Sequence, residues 1–162
     1  MEVPVIGECM RTKLITLRPD MQIEEAIDLL LRNRISGAPV VDDTGILVGV
    51  LSEKDCLRIF ANSAYNVLPG ARVDKYMSTE LTSLTPDVDI FTAADLFLRN
   101  PFRRLPIVDE DGKLVGQISR RDILNSTHHL WANSAAPKQW TDAVYIPEQV
   151  QAVLQGGGKK RG

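Results

Sequence analysis

A chain of 162 residues, 44% hydrophobic and 25% charged, is long enough to bury a core but too short for two large domains. Its formal net charge of -2 lacks the basic footprint that releases counterions from nucleic-acid phosphates, so no DNA or RNA partner is expected. No apolar run reaches the length of a membrane span and no secretory signal opens the chain, so a cytoplasmic protein without a membrane partner is expected.

In chain order, the first clear element is a short extended piece from Leu14 to Leu17, followed by Pro19-Asp20. Asp20 is a suitable N-cap, because a carboxylate there accepts from orphan backbone N–H groups and complements the positive helix end. The helix that follows places Ile23, Ala26, Ile27 and Leu30 at the i, i+3, i+4, i+7 spacing of one buried face. Two short β-branched runs come next, Pro39 to Val41 and Leu47 to Leu51, around the turn composition Asp42-Asp43-Thr44-Gly45. They read as a hairpin with Pro39 at its first strand residue, where proline is tolerated. Ser52-x-x-Asp55 then opens a second helix, from Glu53 to about Ala61.

The same series returns without a gap at an offset of 67 (106 minus 39). Met10 and Thr12 become Met77 and Thr79, Pro19-Asp20 becomes Pro86-Asp87, and the helix face becomes Ile90, Ala93, Ala94 and Phe97. The hairpin returns as Pro106 to Val108, the turn Asp109-Glu110-Asp111-Gly112, and Leu114 to Ile118. Ser119-x-x-Asp122 opens a last helix, from Arg120 to about His128. Each copy therefore reads strand, helix, strand, strand, helix. A unit of about 50 residues buries little apolar surface alone, so an α+β fold is expected, two β-α-β-β-α repeats with mixed sheets packed about a pseudo-twofold axis. The boundaries are set at 1–66 for the first repeat with its lead-in and 67–127 for the second.

Residues 128–155 have no counterpart. Trp131, Trp140, Tyr145, Ile146, Val150, Val153 and Leu154 make this extension too apolar to float free, and it is expected to pack on the module or on a dimer partner. Pro147 to Gln155 reads as a short helix, and 156–162 as a disordered tail. Cys9 and Cys56 lack any Cys-x-x-Cys or histidine-rich neighbour and are expected as free thiols. His128 and His129 are adjacent on a helix and point in different directions, so no metal site is expected. No histidine or cysteine is placed as a nucleophile or general base, and no enzyme is expected.

These residues resemble the cystathionine β-synthase (CBS) domain, a regulatory unit usually found as a tandem pair called a Bateman module. The resemblance covers Met10 to about Ser126. It rests on the Met-x-Thr openings, the Pro-Asp pairs, and the run Arg34-Ile35-Ser36-Gly37-Ala38-Pro39-Val40-Val41-Asp42 with its counterpart Arg103-Arg104-Leu105-Pro106-Ile107-Val108-Asp109. It rests also on Gly49-Val50-Leu51-Ser52-Glu53-Lys54-Asp55 and Gly116-Gln117-Ile118-Ser119-Arg120-Arg121-Asp122.

The resemblance implies a sensor that binds AMP, ADP, ATP or a related adenosyl compound in clefts between the repeats, with no required cofactor. Carried over, Asp55 and Asp122 would accept from ribose hydroxyls, and Ser52 and Ser119 would face phosphates at a helix start. One cleft would join Ser119, Arg121 and Asp122 to Thr12, Leu14, Ile35, Ser36 and Gly37. The reciprocal cleft would join Ser52, Lys54 and Asp55 to Thr79, Leu81, Phe102 and Arg104, with Arg103 between the two. The arginines and Lys54 suit a polyphosphate.

The same Ser-x-x-Asp pairs also read as helix capping boxes, which does not exclude a ligand contact. Gly49 and Gly116 read equally as points of close approach or as bulges. A homodimer is implied through the helices after Ser-x-x-Asp, whose apolar residues are Cys56, Leu57, Ile59, Phe60, Ile123 and Leu124. Beyond it stands an unidentified regulated protein. The alternative function is a ligand-free interaction scaffold.

Overall fold

The elements follow the repeat closely. Helix α1 (Ile23–Arg32), strands β1 (Gly37–Val41) and β2 (Leu47–Ser52) and helix α2 (Glu53–Asn62) form the first copy. After the one-turn helix α3 (Val73–Tyr76), the second copy has α4 (Ile90–Arg99), β3 (Arg104–Val108), β4 (Leu114–Ser119) and α5 (Arg120–Asn133). This computed structural model describes residues 3–62 and 70–133. The expectations for Trp140, Tyr145, the helix from Pro147 and the 156–162 tail lie outside the described residues.

Both expected hairpins form, with Pro39 opposite Val50 and Pro106 opposite Gln117. The prolines stand third in their strands and not first. Two features make that position tolerable. On one side, Val50 turns its N–H and C=O to Ser78 (3.0 and 2.9 Å), away from β1, so the Pro39–Val50 pair requires no proline N–H. On the other, Leu17 pairs in parallel by donating to the Pro39 carbonyl and accepting from Val41 N–H (2.9 and 3.0 Å), again bypassing the proline nitrogen. Pro106 repeats this with Gln117, Arg11, Leu84 and Val108. The expected opening strands shrink to these single bridges at Leu17 and Leu84.

The helix caps differ from expectation. Neither Asp20 nor Asp87 caps a helix: Asp20 accepts from Arg18 Nε at 3.2 Å, and Asp87 is held in its ionised form chiefly by the Thr85 side chain. The pattern fixes the buried face, but two residues separate Pro-Asp from the helix in each copy. The position before the helix is Gln22 in one copy, which makes no side-chain cap, and Asp89 in the other, which accepts from Phe91 and Thr92 N–H.

The core uses the predicted faces. Ile23, Ala26 and Leu30 of α1 are buried with Leu17, Val40 and Leu51, and Ile90, Ala93 and Phe97 repeat them beside Leu105, Ile107 and Ile118.

Within a single compact unit, the copies are locked in two ways. First, the turn tips pair: Gly45 and Gly112 adopt positive φ (+85° and +81°), and Ile46 bridges Lys113. These two residues are repeat equivalents, so this bridge lies on the pseudo-twofold axis. Leu47 N–H donates to Gly112 O at 3.1 Å and Leu114 N–H to Gly45 O at 3.0 Å, related by the same symmetry. Second, the lead-in segments are exchanged. Ile6 and Gly7 donate to Val88 and Pro86 carbonyls of the second copy (2.8 and 2.9 Å), while Val73 and Asp74 donate to Met21 and Pro19 of the first (both 2.9 Å). The N-terminal lead-in, expected to belong with 1–66, thus packs on the second repeat. Met10 and Met77 continue the exchange by lying over Gly116 and Gly49, where a Cβ would come within 2.5 and 2.4 Å of the methionine sulfur. Close approach of a neighbouring segment accounts for both glycines.

Candidate functional site

The exchange opens two clefts at the repeat boundary. The larger, of about 790 Å³, is lined from the first copy by Ser36, Gly37, Ser52, Glu53, Lys54, Asp55, Leu57 and Arg58 and by the Ala38, Pro39 and Val50 surface. From the second it takes Ser78, Pro101, Phe102, Arg103, Arg104, Pro106 and Gln117. The smaller, of about 330 Å³, is lined by Arg11, Ser36, Arg103, Arg104, Gln117, Ser119, Arg120, Arg121 and Asp122. Ser36, Arg103, Arg104 and Gln117 line both, so the clefts adjoin.

At the floor of each stands the expected capping box. Ser52 N–H and Oγ both donate to Asp55 Oδ2 at 2.8 Å, and Asp55 N–H returns a bond to Ser52 Oγ at 3.2 Å. In the second copy Ser119 N–H and Oγ reach Asp122 Oδ2 at 2.8 and 2.6 Å, with Asp122 N–H to Ser119 Oγ at 3.3 Å. The acids are 7% and 8% exposed, and they are the buried charged residues of the described core. One oxygen of each is committed to the cap. The other, Oδ1, faces an arginine that is mostly solvated: Arg58 at 3.3 Å for Asp55, and Arg11 at 3.2 Å for Asp122. Exposed arginines hold such pairs weakly, so each Oδ1 remains available to a competing donor.

The structure assembles much of the predicted set. Ser52, Lys54, Asp55, Phe102 and Arg104 meet in the larger cleft, and Ser36, Ser119, Arg121 and Asp122 in the smaller, with Arg103 in both. Gly37 lines the larger cleft instead of the one assigned to it. Thr12 and Leu14 are absent from the smaller cleft's lining and Thr79 and Leu81 from the larger's, because the opening segments pass beside the sheets as single bridges, and Ile35 is absent from the smaller because it packs against the core. Sequence reasoning missed Arg11, Arg58, Gln117 and Arg120. Their signal was where the repeat breaks: Arg11 answers to Ser78, Arg58 to Asn125, Gln117 to Val50 and Arg120 to Glu53.

The segments entering the clefts also differ. After α1, Ile35 N–H bonds Leu30 O and Arg34 N–H bonds Leu31 O (3.1 and 3.2 Å), a Schellman stop that places Arg34 at φ +52°. After α4 the equivalent residue is Pro101, and Asn100 before it is extended (φ -131°, ψ 154°), as a following proline demands. That course puts Pro101 and Phe102 against the larger cleft.

Thiol chemistry is not offered at either cleft: burial is the first cause raising the pKa of both Cys9 and Cys56 above the ordinary thiol value.

Comparison with known proteins decides the family, since the CBS domain model matches residues 6–62 and again 73–129. The chain belongs to the CBS domain family. Among its relatives, the CBS domain-containing protein YhcV of Bacillus subtilis is 34% identical over 119 residues, covering 73% of this chain and 81% of its own. An uncharacterised protein of Methanocaldococcus jannaschii is 32% identical over 127 residues, 78% of this chain and 44% of that protein, so this CBS pair spans less than half of that relative. CBSX2, a CBS-pair protein of Arabidopsis thaliana, has been crystallised in complex with AMP. That structure matches with TM-score 0.70 and 30% identity over 79% of this chain and 98% of that one.

Proposed function

We propose that this CBS pair is a regulatory module that binds an adenosine nucleotide in the larger cleft and reports its occupancy to a protein partner. The observation that carries the reading is the nearly buried Asp55, with its Oδ1 turned to a solvated arginine, at the base of a cleft that has an apolar wall. An acceptor-only carboxylate suits ribose hydroxyls, the wall of Val50, Pro101, Phe102 and Pro106 suits a purine, and Lys54, Arg103 and Arg104 suit phosphate. The AMP complex of the similar CBSX2 supports the same ligand class.

Ser36 and Lys54 come from one repeat and Phe102 and Arg104 from the other, so a ligand held by both biases their relative arrangement. It acts through unequal affinity for two arrangements, without catalysis. Leu57, Phe60 and Leu124 are 67%, 67% and 65% exposed on α2 and α5 and offer the homodimer surface, whereas Cys56 and Ile123 are spent in the core. No helix among the described residues is long and apolar enough to cross a membrane; a cytoplasmic location is a separate part of this proposal.

Calorimetric titration of the full chain with AMP tests the reading. AMP binding is expected to be lost in Asp55→Ala and weakened at least about 10-fold in Phe102→Ala, which leaves the cap intact. Absence of binding by AMP, ADP and ATP alike would point instead to the ligand-free scaffold.

A further inference from the structure

The smaller cleft is not a second copy of the larger one. Its lining among the described residues contains no apolar side chain against which a base can lie, and five arginines face one aspartate there. In the larger cleft four cations (Lys54, Arg58, Arg103, Arg104) face two carboxylates and an apolar wall. At about 330 Å³ the smaller cleft also sits at the low end of small-molecule sites, which run from roughly 300 to 1,000 Å³. In a chain of net charge -2, five guanidinium groups around so small a volume focus positive potential, and the start of the 14-residue helix α5 adds to it.

The repeat shows what changed. At the Asp55 site the arginine comes from the same helix, as Arg58, and the residue entering from the other repeat is Ser78. At the Asp122 site these identities are reversed: the helix carries Asn125, and the entering residue is Arg11, paired with Asp122 Oδ1 at 3.2 Å. Arg11 is 68% exposed and its backbone is fixed by two bonds with Gln117, both 2.9 Å, so its head can turn within the cleft from an anchored base.

We infer that the adjoining clefts form one elongated site for a nucleoside triphosphate. The nucleoside lies in the Asp55 cleft, and the phosphates cross Arg103 and Arg104 toward Arg11. Asp122 serves as a positioning residue that aims Arg11, in place of the sugar contact its motif suggests. This rests on the nucleotide reading above and adds that Arg11 sets the preference for longer phosphate chains.

The test is titration of the full chain and of Arg11→Ser, which installs the residue of the other repeat, with AMP, ATP and inorganic tripolyphosphate. ATP is expected to bind once per chain and at least about 10-fold more tightly than AMP. In Arg11→Ser that preference collapses while AMP affinity stays within about twofold, and Arg11→Lys restores part of it. Asp122→Asn is expected to lower ATP affinity and spare AMP. Equal AMP and ATP affinities in the unaltered chain, or two equivalent ATP sites, overturn the inference and leave nucleotide binding at Asp55 standing, whereas loss of AMP binding in Asp122→Asn overturns it by placing the nucleoside at the Asp122 cleft. Arg11-dependent tripolyphosphate binding with no nucleotide binding overturns both.

Discussion

The two clefts are built largely from equivalent positions on equivalent elements and share the same Ser-x-x-Asp floor, yet among the described residues one has a hydrophobic wall and the other has none. The contrast separates what a duplicated frame must keep from what it is free to vary. Hairpin register, turn glycines, buried faces and methionine-covered glycines agree in both copies, because each carries packing or backbone pairing that the symmetry axis makes identical. Of the pairs that differ, Arg11 against Ser78 and Phe102 against Ile35, three members line an open cleft, while Ile35 packs against the core.

If the frame is shared, matched core deletions should cost the same in either copy. Leu51→Ala and Ile118→Ala, both fully buried, are each expected to remove about 2–5 kcal/mol of unfolding free energy in urea melts. Unequal losses or separate transitions would divide the copies into independent folding units. Gly49→Ala and Gly116→Ala should each cost about 1–3 kcal/mol, since both displace a methionine and crowd the carbonyl of Ser78 or Arg11 at 3.2 and 3.1 Å.

Where the copies differ, the responses should diverge. Arg34→Gly is expected to stabilise the protein by about 1 kcal/mol by relieving the left-handed backbone, whereas Pro101→Gly, outside that conformation, should destabilise it. Asp89→Ala should lower the melting temperature while Gln22→Ala leaves it unchanged, because Asp89 alone caps its helix. The Thr92 side chain and backbone N–H groups hold the Asp89 pKa below the ordinary aspartate value. Its contribution is therefore complete above that ordinary value and fades as pH falls through the lowered folded one. Acid titration of melting temperature should show a smaller drop across that window in Asp89→Ala than in the unaltered chain.

The fold was legible because each copy's buried face and turn chemistry repeat local rules, and agreement at 67 residues' distance left one arrangement of elements. The capping boxes at Ser52 and Ser119 were legible for the same reason: their geometry is local. What was not legible depends on contacts across the repeat boundary. Asp20 and Asp87 have the composition of caps, but the turn after Pro-Asp moves the cap position to Gln22 and Asp89. Pro39 fits inside its strand only because Leu17 and Ser78 take up their hydrogen bonds around it, and no periodicity within the hairpin encodes that. Arg11 entered no motif, since it reaches Asp122 from 111 positions away.

The crossed lead-ins have a further consequence. Because 4–7 docks on the second copy and 71–74 on the first, each half alone would carry an arm shaped for its neighbour and lack the arm that fits itself. Two separate peptides cut between the copies should therefore seek each other and clasp into the same body, just as two molecules of one ancestral half could have embraced before any peptide joined them. The connection then supplies proximity rather than shape: it turns a concentration-dependent handshake into a permanent one, after which the two grasping hands no longer had to be alike.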